Sequence, residues 1–211
     1  MFTGIIQGMG RVVSVQKKPN LLQFSVSLPG GLDKNIEPGA SFSINGVCLT
    51  VSKIEIPPPT SSTPSTPLVS FDVVDESLQK STLGNLTENE KVNVERSAKL
   101  GDEIGGHLVS GHIHDTAKII DLFQKENIWN ITVKPPTELI KYIFKKGFIA
   151  LDGASLTVVD VSKESFTVSL IPETLERTTF KERKVDDLLN IEIDQQTRTI
   201  VDTLERLERD S

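Results

Sequence analysis

The chain has 211 residues, of which 37% are hydrophobic and 25% are charged, and its formal net charge at pH 7 is -6. It contains no run of the roughly 18 apolar residues that a membrane span requires, and its interspersed charges form no basic stripe, so we expect neither a membrane nor nucleic acid as a partner. The single cysteine, Cys48, excludes an intramolecular disulfide and a cysteine-rich metal site. The first residues lack the basic start and apolar run of a secretory signal, which predicts a cytoplasmic protein.

The first half of the sequence reappears in the second half. Residues 4–6 (GII) match residues 111–113 (GHI), 107 positions later, and the same offset relates 45–51 (NGVCLTV) to 152–158 (DGASLTV). Such a repeat indicates two copies of one domain. We therefore predict similar domains over residues 1–97 and 98–196.

Further along the chain the offset between the two copies shrinks. Residues 76–78 (ESL) match 173–175 (ETL) at an offset of 97, so the first copy carries extra residues before this point. We assign them to the Pro-, Ser- and Thr-rich run 56–67, which predicts a solvated loop between two strands. Each copy is predicted to end in an alternating strand, with 92–95 matching 191–194.

The segments inside each copy are short, rich in Val, Ile, Phe and Thr, and alternate in polarity, as in 22–28 and 166–170. Gly, Pro, Asn and Asp separate them, which is typical of strands joined by turns. Several strands and only brief helical stretches, such as 138–145, predict an all-β fold of two small closed β-barrels of the Greek-key type. An open sandwich is the alternative.

The last residues have a different period from the rest of the chain. Between 199 and 209 the apolar residues Ile200, Val201, Leu204 and Leu207 fall on one helical stripe. This predicts an amphipathic helix over 197–211 that belongs to neither repeat. A helix of this length is marginal alone, so the stripe must pack on its own barrel or on other copies of the chain, and we favour an oligomerisation helix.

Few residues in the sequence point to a particular chemistry. His112 and His114 lie two apart in a strand-like run with His107 nearby, but polar strand residues commonly face solvent, so we do not expect a metal site. The glycines at 4, 8 and 10 match neither a dinucleotide fingerprint nor a P-loop. No Ser-His-Asp triad or carboxylate pair can be assigned from spacing, so residue types alone leave the reaction unnamed.

The repeated NGVCLTV and DGASLTV segments are the best candidates for a binding site. Asn-Gly and Asp-Gly are strong turn signals, so Cys48 and Thr50, like Ser155 and Thr157, should share one face of the strand that follows each turn. A ligand pocket explains a small polar side chain at the same place in both copies. Similar packing of two barrels, with Cys48 as a small buried residue, is the alternative.

Five segments, in order, carry a resemblance that spans nearly the whole chain: MFTGIIQG, NGVCLTV, DEIGGHLVSGHI, KGFIALDGASLTV and IPETLERTT. Together they closely resemble the riboflavin synthase family. The resemblance implies an enzyme without metal or organic cofactor that converts two molecules of 6,7-dimethyl-8-ribityllumazine, by transfer of a four-carbon unit, into riboflavin and 5-amino-6-(D-ribitylamino)uracil in the last step of riboflavin biosynthesis. It also implies one lumazine per barrel and a homotrimer held by C-terminal helices, with the N-terminal barrel of one subunit facing the C-terminal barrel of its neighbour.

The resemblance also implies the site residues, which are named here by their positions in this chain. Ligand contacts in the N-terminal barrel fall on Phe2, Gly4, Ile5, Ile6, Cys48, Leu49, Thr50, Asp72, Val73, Val74, Asp75, Glu76 and Ser77. Those in the C-terminal barrel fall on Gly111, His112, Ile113, Lys146, Ser155, Leu156, Thr157, Ile171, Pro172, Glu173, Thr174, Leu175 and Glu176. Positions associated with catalysis fall on Phe2, Ser41, Cys48, Thr50, His112, Ser155 and Asp194.

Two other functions are consistent with a duplicated barrel of this kind. A carrier of the fluorescent antenna type binds a lumazine or flavin without catalysis and needs only one occupied barrel. Both copies here keep the Leu-Thr motif and the Glu-Ser/Thr-Leu segment, which favours catalysis. The barrel of a flavin reductase is disfavoured because little sequence follows residue 195 to form a nicotinamide domain.

Overall fold

The computed structural model describes residues 1–56, 66–126 and 128–210. They form two closed six-stranded antiparallel β-barrels and a C-terminal helix, which confirms the all-β fold predicted from the repeat. Most of the predicted solvated loop at 56–67 lies outside the described residues. Among the helices in the described part of the chain, none combines the length and apolar character needed to cross a membrane.

The N-terminal barrel contains strands β1 to β6, hydrogen-bonded in the order β1-β2-β5-β4-β3-β6, with β6 closing on β1. This order is of the Greek-key type. The strands are β1 (Gly8–Lys18), β2 (Leu21–Ser27), β3 (Ser41–Ile44), β4 (Val47–Glu55), β5 (Leu68–Val74) and β6 (Lys91–Arg96). A short helix, α1 (Asp75–Lys80), and a 3-10 turn (Thr82–Asn85) connect β5 to β6.

The C-terminal barrel repeats this order as β7-β8-β11-β10-β9-β12. Its strands are β7 (Asp115–Lys125), β8 (Ile128–Lys134), β9 (Phe148–Leu151), β10 (Ala154–Val161), β11 (Phe166–Leu170) and β12 (Leu188–Ile193). Helix α2 (Pro172–Arg177) and a 3-10 turn (Thr179–Glu182) connect β11 to β12, as in the first barrel. The helical stretch predicted over 138–145 is a 3-10 turn at Thr137–Tyr142.

Each barrel has its own hydrophobic core, because alternate strand residues point inward. In the N-terminal barrel the ring of Phe71 contacts Phe24 and Phe42, with centroids 5.5 and 6.1 Å apart. The strands are also irregular at equivalent places. The register between β1 and β2 shifts after Val12, and that between β7 and β8 shifts after Ile119, 107 residues later.

The predicted alignment of the last strands is wrong by two residues. Asn93 and Asn190 occupy equivalent positions, and so do Glu95 and Glu192, since each glutamate binds the chain at the start of its own repeat. Residues 92–95 therefore match 189–192, at the same offset of 97 as the preceding segments. Both segments alternate in polarity, and a shift of two residues keeps every side chain on its face, so the pattern alone could not reject the wrong register.

The barrels meet at equivalent segments. Phe2 and Val109 form an antiparallel bridge, with N···O distances of 2.7 and 3.0 Å. Gly46 and Gly153 face each other at φ values of +85° and +83°, and a Cβ on either would lie 2.7 or 2.9 Å from the other's backbone nitrogen. Only glycine fits both the positive φ and this close approach. The two turns predicted at NG and DG therefore form a contact between the barrels as well.

The C-terminal helix α3 (Gln195–Arg209) begins two residues before the predicted boundary. Asp194 caps it, because its Oδ2 accepts hydrogen bonds from the backbone N and Oγ1 of Thr197 at 2.9 and 2.7 Å. Polar contacts from Tyr142 to Asp202 and from Lys141 to Glu205 hold the helix on its own barrel.

The apolar stripe of α3 faces away from this attachment. Ile200 and Leu204 expose 60% and 56% of their surface. The helix thus contacts its own barrel through polar groups and leaves apolar surface exposed along the predicted stripe.

Candidate active site

Each candidate site is built from both barrels. Residues 110–113 run beside β4 of the N-terminal barrel, where the Cys48 backbone nitrogen donates to the Gly111 carbonyl at 2.8 Å. Residues 3–6 run beside β10 of the C-terminal barrel, where the Ser155 nitrogen donates to the Gly4 carbonyl at 2.8 Å. The first residues of each repeat therefore cross to the other barrel, and we call 3–6 and 110–113 the crossing segments.

This arrangement corrects the grouping expected from the sequence, which assigned residues 4–6 to the N-terminal site and 111–113 to the C-terminal site. Ile6 lies in the core of the C-terminal barrel, and Ile113 packs against the core of the N-terminal barrel. The repeat identifies equivalent residues, but it does not tell which copy of a strand each of them meets. Residues 3–6 therefore lie at the C-terminal site and residues 110–113 at the N-terminal site, and the two sites have equivalent geometry.

The crossing segments approach the strands too closely for a side chain at their glycines. A Cβ on Gly4 would lie 2.5 Å from the Ser155 Cβ, and one on Gly111 would lie 2.5 Å from the Cys48 Cβ. Both glycines also have positive φ values, +73° and +82°. This contact places the main chain of each crossing segment directly against a predicted catalytic side chain.

Two buried carboxylates hold the crossing segments. Glu95, on β6, accepts hydrogen bonds from the backbone nitrogens of Thr3 and Gly4. Glu192, on β12, accepts the equivalent bonds from the Ser110 and Gly111 nitrogens. Burial raises the pKa of both carboxyl groups, and the hydrogen bonds they accept act in the opposite direction.

The N-terminal site contains the thiol of Cys48, half-buried on the outer face of β4. Burial raises the pKa of this thiol, whereas the charge of the chain's amino terminus and a hydrogen bond with Ser41 lower it. Ser41 pairs with Thr50 across β3 and β4, so all three polar side chains lie together. Phe2 is fully buried in a small cluster against which Cys48 packs.

A cavity of about 230 Å³ opens beside Cys48. Glu76 and Ser77 from α1 line it, together with Gly111 and His112 of the crossing segment. These five predicted residues, from three distant parts of the sequence, therefore share one pocket.

The C-terminal site contains a serine-histidine pair. The Ser155 Oγ lies 2.7 Å from the His107 Nδ1, and the His107 ring stacks on Phe148 with centroids 5.1 Å apart and an interplanar angle of 16°. Burial lowers the pKa of His107, which Asp194 partly opposes. The imidazole is therefore neutral near pH 7 and can accept the serine proton.

No motif in the sequence points to His107 as a site residue. The repeat gives no signal for it either, since at an offset of 107 the comparison starts at Leu108. The only available signal was its nearness to His112 in the sequence.

A larger cavity, of about 590 Å³, contacts two predicted catalytic residues that lie outside the strands, His112 and Asp194. His107, His112, Phe148 and Asp194 line it. Asp194 thus faces this cavity while it also caps α3. His112 lines both this cavity and the one beside Cys48.

The expectation that His112 and His114 lie in a strand and point to the same face is wrong. Residues 111–114 precede β7, His112 is exposed, and His114 faces α3, where the Arg198 Nη1 lies 2.9 Å from its Nε2. Burial and the nearby Arg198 charge lower the pKa of His114 to about 4. Within the described ranges, no group of three or more His, Cys, Asp or Glu side chains is arranged to hold a metal ion.

Some predicted contact residues turn their side chains away from these cavities. Leu49, Val73 and Leu156 are buried in the barrel cores, so only their main chain is available to a ligand. Asp72 accepts a hydrogen bond from the Gln23 side chain at 2.8 Å, on the outer face of β2 and β5.

Ile5 is exposed on its crossing segment, Thr157 is exposed on β10, and Lys146 lies just before β9. Further predicted residues lie at the starts of α1 and α2. Val74 and Ile171 are exposed residues at equivalent positions just before the helices. In α1, Asp75 accepts a hydrogen bond from Gln79. The predicted residues of the second repeat that lie in α2 are Pro172, Glu173, Thr174, Leu175 and Glu176.

Comparison with known proteins agrees with the duplicated architecture. The lumazine binding domain family matches residues 3–97 and again residues 110–194. The riboflavin synthase of Escherichia coli (strain K12) is 48% identical over 208 residues, covering 98% of this chain and 93% of that protein. The chain belongs to the riboflavin synthase family. The riboflavin synthase of Chlamydia pneumoniae, another member, is 41% identical over 207 residues, with 98% of this chain and 96% of that protein covered.

Solved structures share the fold of this family member. The crystal structure of LumP complexed with riboflavin matches it with a TM-score of 0.82 at 23% identity, covering 92% of this chain and 100% of that chain. LumP complexed with 6,7-dimethyl-8-(1'-D-ribityl) lumazine matches with a TM-score of 0.79 at 22% identity. At this identity the likeness concerns the fold alone.

Proposed function

We propose that this chain is a riboflavin synthase, which converts two molecules of 6,7-dimethyl-8-ribityllumazine into riboflavin and 5-amino-6-(D-ribitylamino)uracil. The observation that carries this proposal is the 48% identity to a riboflavin synthase over 98% of the chain. The geometry agrees with it, since both barrels present a nucleophilic side chain, Cys48 or Ser155, beside a crossing segment. An enzyme that acts on two copies of one substrate needs two such sites.

The reaction transfers a four-carbon unit from one lumazine to the other, so it is a dismutation that balances without an external oxidant or reductant. It therefore needs no redox partner, and we propose that it proceeds without metal or organic cofactor, as the family resemblance implies. The methyl group at C7 of the lumazine is acidic because its carbanion delocalises into the fused ring. Positioning should thus contribute most: alignment of two reactants can supply about 7–11 kcal/mol, and a general acid or base about 10²- to 10⁴-fold in rate.

In the C-terminal site we assign proton transfer to Ser155 and His107. The neutral imidazole accepts the proton of the serine hydroxyl at 2.7 Å, and stacking on Phe148 fixes the ring. We assign Lys146 to this site as well. It has a φ of +69° at the equivalent of Gly39 (φ +93°) in the other barrel. A lysine held in a conformation that favours glycine is consistent with a role for its side chain.

In the N-terminal site we assign the corresponding chemistry to Cys48, supported by Ser41 and His112. Thr50 and Thr157, on the outward faces of β4 and β10, are assigned to binding the polar edges of the two lumazines. The sites therefore differ in their nucleophile and in its partner. Such a difference suits two ligands of which one donates and the other accepts the four-carbon unit.

We further propose that the active enzyme is a cytoplasmic homotrimer, in which the N-terminal site of one subunit faces the C-terminal site of its neighbour. The exposed apolar side chains of Ile200 and Leu204 support an interface along α3. We retain the division into barrels at 1–97 and 98–196 and an oligomerisation helix at 197–211 as part of this proposal.

The test is to incubate the purified protein with 6,7-dimethyl-8-ribityllumazine and a chelator, and to follow both compounds by chromatography. We expect one riboflavin for every two lumazines consumed, at a rate above the protein-free control. Tight binding without riboflavin would instead identify a lumazine carrier, the alternative with which a duplicated lumazine binding domain is also consistent. Unchanged turnover in Ser155→Ala or His112→Ala would contradict the catalytic assignments.

A further inference from the structure

We propose that Glu95 and Glu192 are crossed positioning residues, so that each carboxylate shapes the ligand site of the barrel to which it does not belong. Glu95 lies on β6 of the N-terminal barrel and acts on the Ser155 site, whereas Glu192 lies on β12 of the C-terminal barrel and acts on the Cys48 site. The inference rests on the proposed function only in treating these two places as the lumazine sites.

The connection from Glu95 to Ser155 passes through a single residue. The Glu95 Oε1 accepts hydrogen bonds from the backbone N and the Oγ1 of Thr3, both at 2.7 Å, and its Oε2 accepts one from the Gly4 nitrogen at 3.1 Å. The carbonyl of the same Gly4 accepts from the Ser155 nitrogen at 2.8 Å. The position of the Gly4 peptide, and hence of the surface beside Ser155, therefore depends on Glu95.

Glu192 makes the same connection to Cys48. Its Oε1 accepts from the backbone N and Oγ of Ser110, both at 2.7 Å, and its Oε2 accepts from the Gly111 nitrogen at 2.9 Å. The Gly111 carbonyl accepts from the Cys48 nitrogen at 2.8 Å. His112, which lines the cavity beside Cys48, is the next residue along the chain.

Both positions require a carboxylate rather than any polar group. Each side chain accepts three hydrogen bonds and is almost fully buried, with exposures of 2% for Glu95 and 4% for Glu192. A glutamine would turn an N–H₂ group toward an N–H donor and leave a buried donor unpaired. The crossing segments lie outside the barrel strands, since β1 starts at Gly8 and β7 at Asp115, so no strand ladder replaces the lost bonds.

The single cysteine of the chain gives a direct test. Because Cys48 is the only thiol, the rate at which iodoacetamide alkylates the ligand-free protein reports on the N-terminal site alone. We expect Glu192→Gln, in the other barrel, to change this rate about tenfold or more, because it leaves a buried donor unpaired beside the thiol. The same substitution removes a negative charge that raises the pKa of the thiol, so Ser110→Ala, which keeps this charge, separates positioning from the direct effect of the charge. Glu95→Gln, in the same barrel as Cys48, should change it no more than the exposed control Glu88→Gln.

The reverse pattern is expected when the thiol is moved to the other site. In a Cys48→Ser, Ser155→Cys background, alkylation at position 155 should respond to Glu95→Gln and not to Glu192→Gln. Riboflavin, added as a protecting ligand, should protect position 48 less well in Glu192→Gln and position 155 less well in Glu95→Gln. A purely structural role for each glutamate would instead disturb the site in its own barrel most.

A milder pair of variants covers the case in which a glutamine variant does not fold. Thr3→Val and Ser110→Ala each remove the hydroxyl that donates to the glutamate, together with the longer bond that this hydroxyl accepts from the nitrogen of Ile5 or His112. The glutamate stays in place, and we expect the same crossed pattern at smaller amplitude. Equal effects at both sites, or effects confined to the glutamate's own barrel, would overturn the proposal. Alkylation requires no turnover, so its outcome is separate from whether the wild-type protein makes riboflavin.

Discussion

One ion pair at the contact between the barrels has no counterpart in the other half of the molecule. Asp152 is fully buried, and its carboxylate accepts from the Asn190 nitrogen at 2.8 Å and from the Arg183 Nη2 at 2.7 Å. The equivalent positions in the first half are Asn45 and Leu86, which are also buried. The protein thus contains both a charged and an uncharged version of the same contact.

We predict that Arg183→Leu strongly destabilises the protein. Removing one partner of a buried ion pair typically costs about 3–5 kcal/mol, because the remaining charge stays uncompensated. The carboxyl group can escape this cost by taking up a proton, which at pH 7 costs about 4 kcal/mol for an ordinary aspartate pKa of about 3.9. These two estimates of the loss in unfolding free energy agree, and for a chain of this size they correspond to a fall in Tm of roughly 10 °C.

The double variant Asp152→Asn, Arg183→Leu should recover most of this loss, because it copies the Asn45 and Leu86 arrangement of the first half. The pH dependence should also separate the two variants. Burial raises the pKa of Asp152, and the neighbouring Arg183 lowers it, so this pKa rises further in the single variant. The folded single variant then binds more protons than the unfolded chain, and its stability falls as the pH rises and recovers toward acidic pH.

Urea unfolding followed by circular dichroism between pH 4 and pH 8 measures both effects. The gap in unfolding free energy between wild type and Arg183→Leu should narrow as the pH falls, and the double variant should lack this trend. A single variant within about 1 kcal/mol of wild type at pH 7, a value below the range expected for a broken buried pair, would refute the reasoning. A double variant as unstable as the single one would refute it equally.

Four further predictions concern other parts of the molecule. Gly153→Ala should destabilise by at least about 2 kcal/mol in thermal unfolding, because its Cβ would lie 2.9 Å from the Gly46 nitrogen at a φ of +83°. His107→Asn should lower kcat about 10²-fold. Burial lowers the pKa of His107 below the usual value of about 6.5, so the rate of the wild-type enzyme should fall at pH values below about 6.5, and the rate of the variant should not. Burial lowers the pKa of His114 to about 4, so Tm should fall as the pH drops from about 6.5 toward 4, and His114→Gln should flatten this change. If the proposed trimer forms, Leu204→Glu should sediment as a monomer in sedimentation velocity, since this exposed leucine lies on the proposed interface.

The two-barrel fold follows from the sequence because its signals are local. The turns at Asn45-Gly46 and Asp152-Gly153, and the alternating segments around them, recur in the same order in both copies. Strand alternation and turn chemistry depend on neighbouring residues, so a repeated pattern predicts a repeated barrel. The helix α3 was predictable for the same reason, since its stripe repeats with a helical period over a single short segment.

The composition of each site was only partly predictable. Cys48 and Ser155, which the repeated motifs point to, lie against the crossing segments, and His112 lines both cavities. His107 was missed because it has no partner in the first repeat, and a lone histidine carries no periodic signal. Glu192 was aligned with Asn93 instead of Glu95, because both last strands alternate in polarity and a shift of two residues preserves that alternation.

The pairing of the crossing segments with their strands was decided only by the tertiary structure. The sequence by itself determined that residues 4–6 and 111–113 are equivalent, and that both accompany an L-T strand. Either segment fits either strand locally, because the two sites share the same glycine, the same backbone bond and the same glutamate. The choice depends on how the barrels pack through Phe2 and Gly46, and such long-range contacts leave no pattern in the sequence around each segment.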